Sequence, residues 1–142
     1  MEYRYETQLV SDLSDCLTSS QKPFDVEHFA YEFNYINGRV DLLAIKGKGT
    51  ILSFEAKLSK WKIALNQAYR NSSFTHYSYV VLPDKQIKYA MKNSKEFQIR
   101  GVGLCSVKDE NLNIIMLAPK KKPLQPWLTK KALKFINENS HE

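Results

Sequence analysis

Histidine and cysteine are scarce in this chain of 142 residues, which holds three of the first and two of the second. No second histidine lies near His28 to make a ligand pair, and Cys16 and Cys105 lack the spacing of a zinc site. Falling on a predicted helix and a predicted strand, the two cysteines read as small core hydrophobes in a reducing compartment. Long apolar runs are missing, and the opening MEYRYETQLV carries acids. Neither a signal peptide nor a membrane span is therefore expected, and a cytoplasmic location is. Internal repeats are absent, as is any helix-turn-helix or zinc-finger pattern that would read a base sequence.

What is present is enough for one well-filled domain. Hydrophobic residues make up 43% of the chain and aromatics 12%, against an ordinary 25% charged. The formal net charge of +6 favours a polyanionic partner.

The most informative stretch runs from Gly38 to Arg70, GRVDLLAIKGKGTILSFEAKLSKWKIALNQAYR. Residues 39–46 and 50–58 are rich in Val, Ile, Leu and Phe and flank Gly47-Lys48-Gly49, a pattern that predicts a hairpin with a short loop. A turn centred on Lys48 sets Ile45 opposite Ile51, Leu43 opposite Ser53, Asp41 opposite Glu55 and Arg39 opposite Lys57. Cross-strand partners have Cβ atoms about 5 Å apart. Strand alternation then puts Asp41, Glu55 and Lys57 on one face with Leu43 and Ile45, and Val40, Leu42, Phe54, Ala56 and Leu58 on the other.

Two carboxylates held side by side repel, and such a pair persists at neutral pH if a cation lies between them or one binds a proton. Oxygen ligands of this kind suit Mg2+ or Mn2+, whose remaining positions go to water and substrate phosphate. Lys57, two residues beyond Glu55, would stand beside the ion, placed to polarise water or steady charge on a phosphate. The alternative is a solvated face with a weak ion pair. Against it stand Leu43 and Ile45, which share the acids' face and imply that the carboxylates are partly buried and need a partner.

Val40-Asp41, thirteen intervening residues, Glu55-Ala56-Lys57 and then a helix carrying Gln67-Ala68-Tyr69 resemble the PD-(D/E)XK nuclease superfamily. Val40 stands where that family usually has proline. Glu55-Ala56-Lys57 is the one Asp/Glu-x-Lys triplet in the chain. The resemblance covers about residues 1–107. It implies a restriction-endonuclease-like mixed α/β sheet and a metal-dependent phosphodiesterase, a DNA endonuclease leaving 5′-phosphate ends, with RNA left open as substrate. By the same likeness Asp41, Glu55, the backbone carbonyl of Ala56 and Glu6 would hold Mg2+, with Mn2+ as substitute, and Asp41, Glu55, Lys57 and Gln67 would be catalytic. Glu6 reads equally as a first-turn acid complementing its helix, and Gln67 as a surface amide. Junction resolvases and mobile-element endonucleases fit within the class, and cutting two strands fits a homodimer.

Around that stretch the pattern reads helix, three strands, helix, strand, helix, two strands and a last helix. The first helix lies within residues 3–19, and residues 26–36 are a strand turning at Asn37-Gly38 into the Asp41 strand. Ser59-Lys60 opens a helix from Trp61 to about Ser72, whose apolar stripe is Trp61, Ala64, Leu65, Ala68 and Tyr69. A strand over 76–82, one helix over 85–97 and strands over 101–107 and 112–117 follow.

The nuclease-like domain spans 1–118. Residues 119–142 are a basic linker and a C-terminal helix, docked or forming a dimer arm. Lys120, Lys121 and Lys122 suggest contact with a phosphate backbone, or a solvated linker, and Lys60, Arg70 and Arg4 are the other cations expected there. The rival reading of the whole chain is a non-catalytic nucleic-acid-binding or protein-interaction module on the same fold.

Overall fold

The computed structural model describes residues 3–21 and 23–141. Helix α1 (Glu6–Leu17) leads into strands β1 (His28–Tyr35), β2 (Gly38–Lys46) and β3 (Thr50–Ala56), then α2 (Trp61–Asn71) and β4 (Tyr77–Pro83). A 3-10 turn (Asp84–Gln86), α3 (Ile87–Met91) and α4 (Ser94–Arg100) carry the chain to β5 (Gly103–Lys108) and β6 (Asn111–Met116), and α5 (Pro126–Asn139) closes it. The six strands form one sheet in sequential order. β1, β2 and β3 are antiparallel, β4 and β5 run parallel to β3, and β6 is antiparallel to β5, which makes a mixed α/β sheet.

The β2–β3 hairpin has the expected register, with Ile45 opposite Ile51 and Leu43 opposite Ser53. Gly47 at φ +59° and Gly49 at φ +111° make its loop, conformations that a side chain would strain. The ladder ends at Leu42 opposite Phe54. Beyond that pair the two strands part, and the site lies in the opening.

Three apolar layers hold the sheet. On one face α1 packs Leu9, Leu13 and Leu17 against Leu42, Phe54, Ala56, Val81 and Cys105. On the other, α2 and α4 cover Val80, Leu82 and Leu104, while α5 covers Ala30, Val40, Leu43 and Ile45 with Ala132 and Ile136. The C-terminal helix is thus docked on β1 and β2. Residues 1, 2 and 142, at the limits of the two expected segments, lie outside the described residues.

Two expectations are corrected here. Val40 lies on the α5 face, not with Leu42 on the α1 face, because alternation breaks between them. The break is matched in β1, where Glu32 takes φ +58° and neither Glu32 nor Asp41 joins the ladder, although Tyr31–Leu42 and Phe33–Val40 do. The single helix over 85–97 is two, because Asn93 interrupts it. Its side-chain amide donates to Tyr89 O at 3.1 Å and its own carbonyl accepts the Glu96 N–H at 3.0 Å, the local bonding that makes Asn a cap and a poor interior residue.

Candidate functional site

Asp41 and Glu55 meet where β2 and β3 part. The alternation break frees Asp41 from the ladder, and its Oδ2 accepts the backbone N–H of Ala56 at 2.9 Å, pinning it across β3. Glu55 is 1% exposed and points beneath α2. There Asn71, the last residue of that helix, donates from Nδ2 to Glu55 Oε1 at 2.8 Å, and Tyr35 from β1 donates to Asn71 Oδ1 at 2.7 Å. The helix end is itself tied down, since the Thr75 hydroxyl donates to Asn71 O at 3.0 Å.

The electrostatics follow from this packing. Burial, and next the Asp41 carboxylate, push the Glu55 carboxyl far above the usual carboxylate range, and the Asn71 bond offsets only part of the rise. Tyr35 is pushed up to about 12 by burial; Arg70 nearby pulls it down and Glu55 raises it.

Lys57 continues β3, its N–H donating to Val81 O at 3.2 Å, and its ammonium lies 3.6 Å from Glu6 Oε1 at the start of α1. Gln8 sets that helix start by accepting the N–H groups of Arg4 and Tyr5 at 2.8 and 3.0 Å. Glu6 is therefore brought to the site, and its partner is Lys57. Arg39 does not face Lys57 as the hairpin extrapolation expected. Its guanidinium sits 3.9 Å from Asp41 Oδ1 and 4.0 Å from Glu32 Oε1. An open cleft of about 400 Å3 lined by Glu6, Tyr31, Arg39 and Asp41 reaches Asp41 from the α1 side, and Glu55 does not line it.

Gln67 lies one helical turn before Asn71 and is half-buried, its Oε1 shielded and without a hydrogen-bond partner. Ala56 contributes its N–H to Asp41, as above. Among the described residues no group of three His, Cys, Asp or Glu side chains converges to hold a metal. A site here would use the two carboxylates and fill its other positions with backbone oxygen and water, the arrangement a small hard cation favours.

Of the expected polyanion contacts, Arg4, Lys60, Arg70, Lys120 and Lys122 are exposed. Lys121 is turned inward. Its ammonium donates to Ser72 Oγ at 3.2 Å and to the carbonyl of Arg100, and sits 5.3 Å from the Tyr69 ring centre. Burial lowers its pKa. Tyr69, expected in the apolar stripe of α2, is 52% exposed.

Sequence reasoning missed Asn71, Tyr35 and Arg39. The spacing of Gln67 and Asn71, four residues apart on one helix face, was the available signal for the first.

Among solved structures, the fold is similar to that of SPO1766, a protein of unknown function from Silicibacter pomeroyi, with a TM-score of 0.70 and 15% identity over 97% of this chain and 87% of that one. No family model and no curated protein matches the chain. At that identity the likeness establishes the fold: a mixed α/β domain, here with a buried carboxylate, Glu55, beside the half-buried Asp41 at the parting of two strands.

Proposed function

We propose that this protein is a metal-dependent phosphodiesterase built on the restriction-endonuclease-like fold, a DNA endonuclease leaving 5′-phosphate ends. The observation that carries the reading is the Asp41–Glu55 pair, one member pinned by the Ala56 N–H and the other 1% exposed, with Lys57 two residues further on, just past the end of β3. A carboxylate buried beside another carboxylate is costly to ionise unless a cation joins them.

The two carboxylates fit Mg2+ or Mn2+, held by Asp41 and Glu55 with the Ala56 carbonyl and water as further ligands. When bound, such an ion supplies an acidified water and offsets charge on a phosphate. Asn71 orients Glu55 as a ligand, as a carboxylate's hydrogen-bond partner does at metal sites. Lys57, released from Glu6 by an entering phosphate, positions the attacking water or steadies the negative charge that develops as the P–O3′ bond breaks. Gln67, with an unclaimed amide oxygen, is a second group able to orient water. The chain has no helix long and apolar enough to cross a membrane among the described residues. A cytoplasmic, DNA-bound role, with a homodimer for double-strand cutting, completes the reading.

The test is incubation with supercoiled plasmid, linear duplex, single-stranded DNA, a four-way junction and RNA, each with Mg2+, Mn2+ or EDTA, followed by analysis of the product ends. Metal-dependent cutting that leaves a 5′-phosphate is the expected result. A second reading, a binding module without catalysis, is favoured by one observation: Lys57 and Glu6 satisfy each other. Binding unchanged by EDTA with no cutting of any substrate selects it.

A further inference from the structure

The groove between the end of α2 and the Pro-rich tail carries an unused surface. One depression of about 680 Å3 is lined by Tyr69, Arg70, Lys121 and Lys122, and a second of about 380 Å3 by Trp127 and Lys131. They adjoin, since Tyr35, Asn37 and Gln125 line both. The chain has 15 Asp and Glu residues, and none lines either depression among the described residues, so the wall's charge is uniformly positive. Set into that wall are aromatic rings open to solvent, with Tyr69 52% and Trp127 62% exposed.

Lys121 explains how the groove keeps its shape. Its backbone N–H donates to His76 O at 2.8 Å, and its side chain reaches Ser72 and Arg100, so the tail is stitched to the end of α2. The N–H groups of Leu124 and Gln125 add bonds to Ser73 O at 2.9 and 3.0 Å. Lys122 and Arg70 are left exposed on the rim.

We propose that this groove binds a single strand of nucleic acid, with phosphates on Arg70, Lys122 and Lys131 and unpaired bases stacked on Tyr69 and Trp127. Exposed aromatics among cations suit splayed bases, whose faces are free, and not a duplex, whose bases are already stacked on one another. The larger depression has the volume of a small-ligand site, room for a nucleotide or two. Tyr35 joins the two regions, since its ring lines the groove and its hydroxyl holds Asn71, which holds Glu55. This inference rests on the nuclease reading only for what the strand is brought to. It then names the substrate class as DNA or RNA with an unpaired segment.

The test is fluorescence anisotropy in EDTA with a labelled single-stranded oligonucleotide, a blunt duplex and an abasic oligonucleotide of equal length. Single strand should bind at least tenfold more tightly than the duplex or the abasic chain. Trp127→Ala and Tyr69→Ala should each weaken single-strand binding roughly tenfold, within the range for loss of one stacked base, and leave abasic binding unchanged. Arg70→Gln and Lys122→Gln should each lower the salt dependence of log K by about 0.7. Equal binding of all three probes, duplex preference, or indifference to both aromatic substitutions overturns the proposal. Groove binding without any cutting would sink the nuclease reading alone, and cutting without the groove preference would sink this inference alone.

Discussion

Asn71 Nδ2 lies 2.8 Å from Glu55 Oε1, so the last residue of α2 holds a fully buried carboxylate of β3. That bond fixes which way Glu55 faces Asp41. It also makes the site depend on a residue with no ionisable chemistry of its own.

Replacing Asn71 should therefore act through Glu55. Asn71→Ala leaves a buried acceptor unsatisfied and should cost about 1–3 kcal/mol of stability. Loss of an outer partner at a metal site typically lowers affinity or activity about 10- to 100-fold. Mg2+ titrations of cleavage should show a higher midpoint with unchanged affinity for DNA measured in EDTA. Tyr35→Phe, which removes the bond to Asn71 and keeps the ring, should show the same shift more weakly.

Glu55 predicts a particular pH dependence. Its folded pKa is raised by burial and by Asp41 far above the ordinary carboxyl value of 4.5, so over the interval between the two the folded state holds a proton that the unfolded chain has released. Stability from this group is present below about pH 4.5 and is lost as pH rises through the interval. Glu55→Gln mimics the protonated form, can still accept from Asn71, and should stabilise the metal-free protein at pH 8 by about 1–3 kcal/mol. Denaturant melts at pH 5 and pH 8 check the sign, since the gain should shrink at the lower pH. Mg2+ should stabilise wild type at pH 8, by about 2.7 kcal/mol at a hundredfold excess over Kd, and should not stabilise the variant.

The Glu6–Lys57 pair separates structural from chemical roles. Glu6 is 46% exposed at its side chain, and an ion pair this open contributes at most about 1 kcal/mol. Glu6→Gln should shift the melting temperature by no more than about 4 °C and change the rate of cleavage, because Lys57 loses its partner. A changed melting temperature with unaltered cleavage would assign Glu6 to the helix alone.

Gly101 guards the groove. It ends α4 at φ +66°, and an added Cβ would stand 2.5 Å from Lys121 Cε. Gly101→Ala combines left-handed strain with displacement of that lysine and should destabilise by about 1–3 kcal/mol. Proteolysis within residues 119–125 should speed up in the same variant, because Lys121 stitches the tail to α2.

Much of this arrangement was legible in the sequence. Gly47-Lys48-Gly49 set the hairpin register, and with it the closeness of Asp41 to Glu55, because a loop of known length leaves few alternatives. Helix and strand order followed from apolar periodicity. The reversal at Val40 was not legible, since it depends on Glu32 adopting a positive φ that residue type alone does not announce. Nor was the inward turn of Lys121 among three adjacent lysines, which is decided by the Ser72 and Arg100 acceptors from distant segments. Asn71 escaped notice for the same reason: its role lies in a tertiary contact, and its type is common at helix ends.

The central claim is tested most directly by nicking of supercoiled plasmid across an Mg2+ and Mn2+ concentration series, comparing wild type with Asp41→Ala and Lys57→Ala. The account predicts metal-dependent nicking by wild type that both substitutions reduce by at least a hundredfold. Lys57→Ala should retain metal-induced thermal stabilisation, and Asp41→Ala should lose it. Nicking that persists in both variants, or wild type that neither nicks nor is stabilised by either metal, would contradict it.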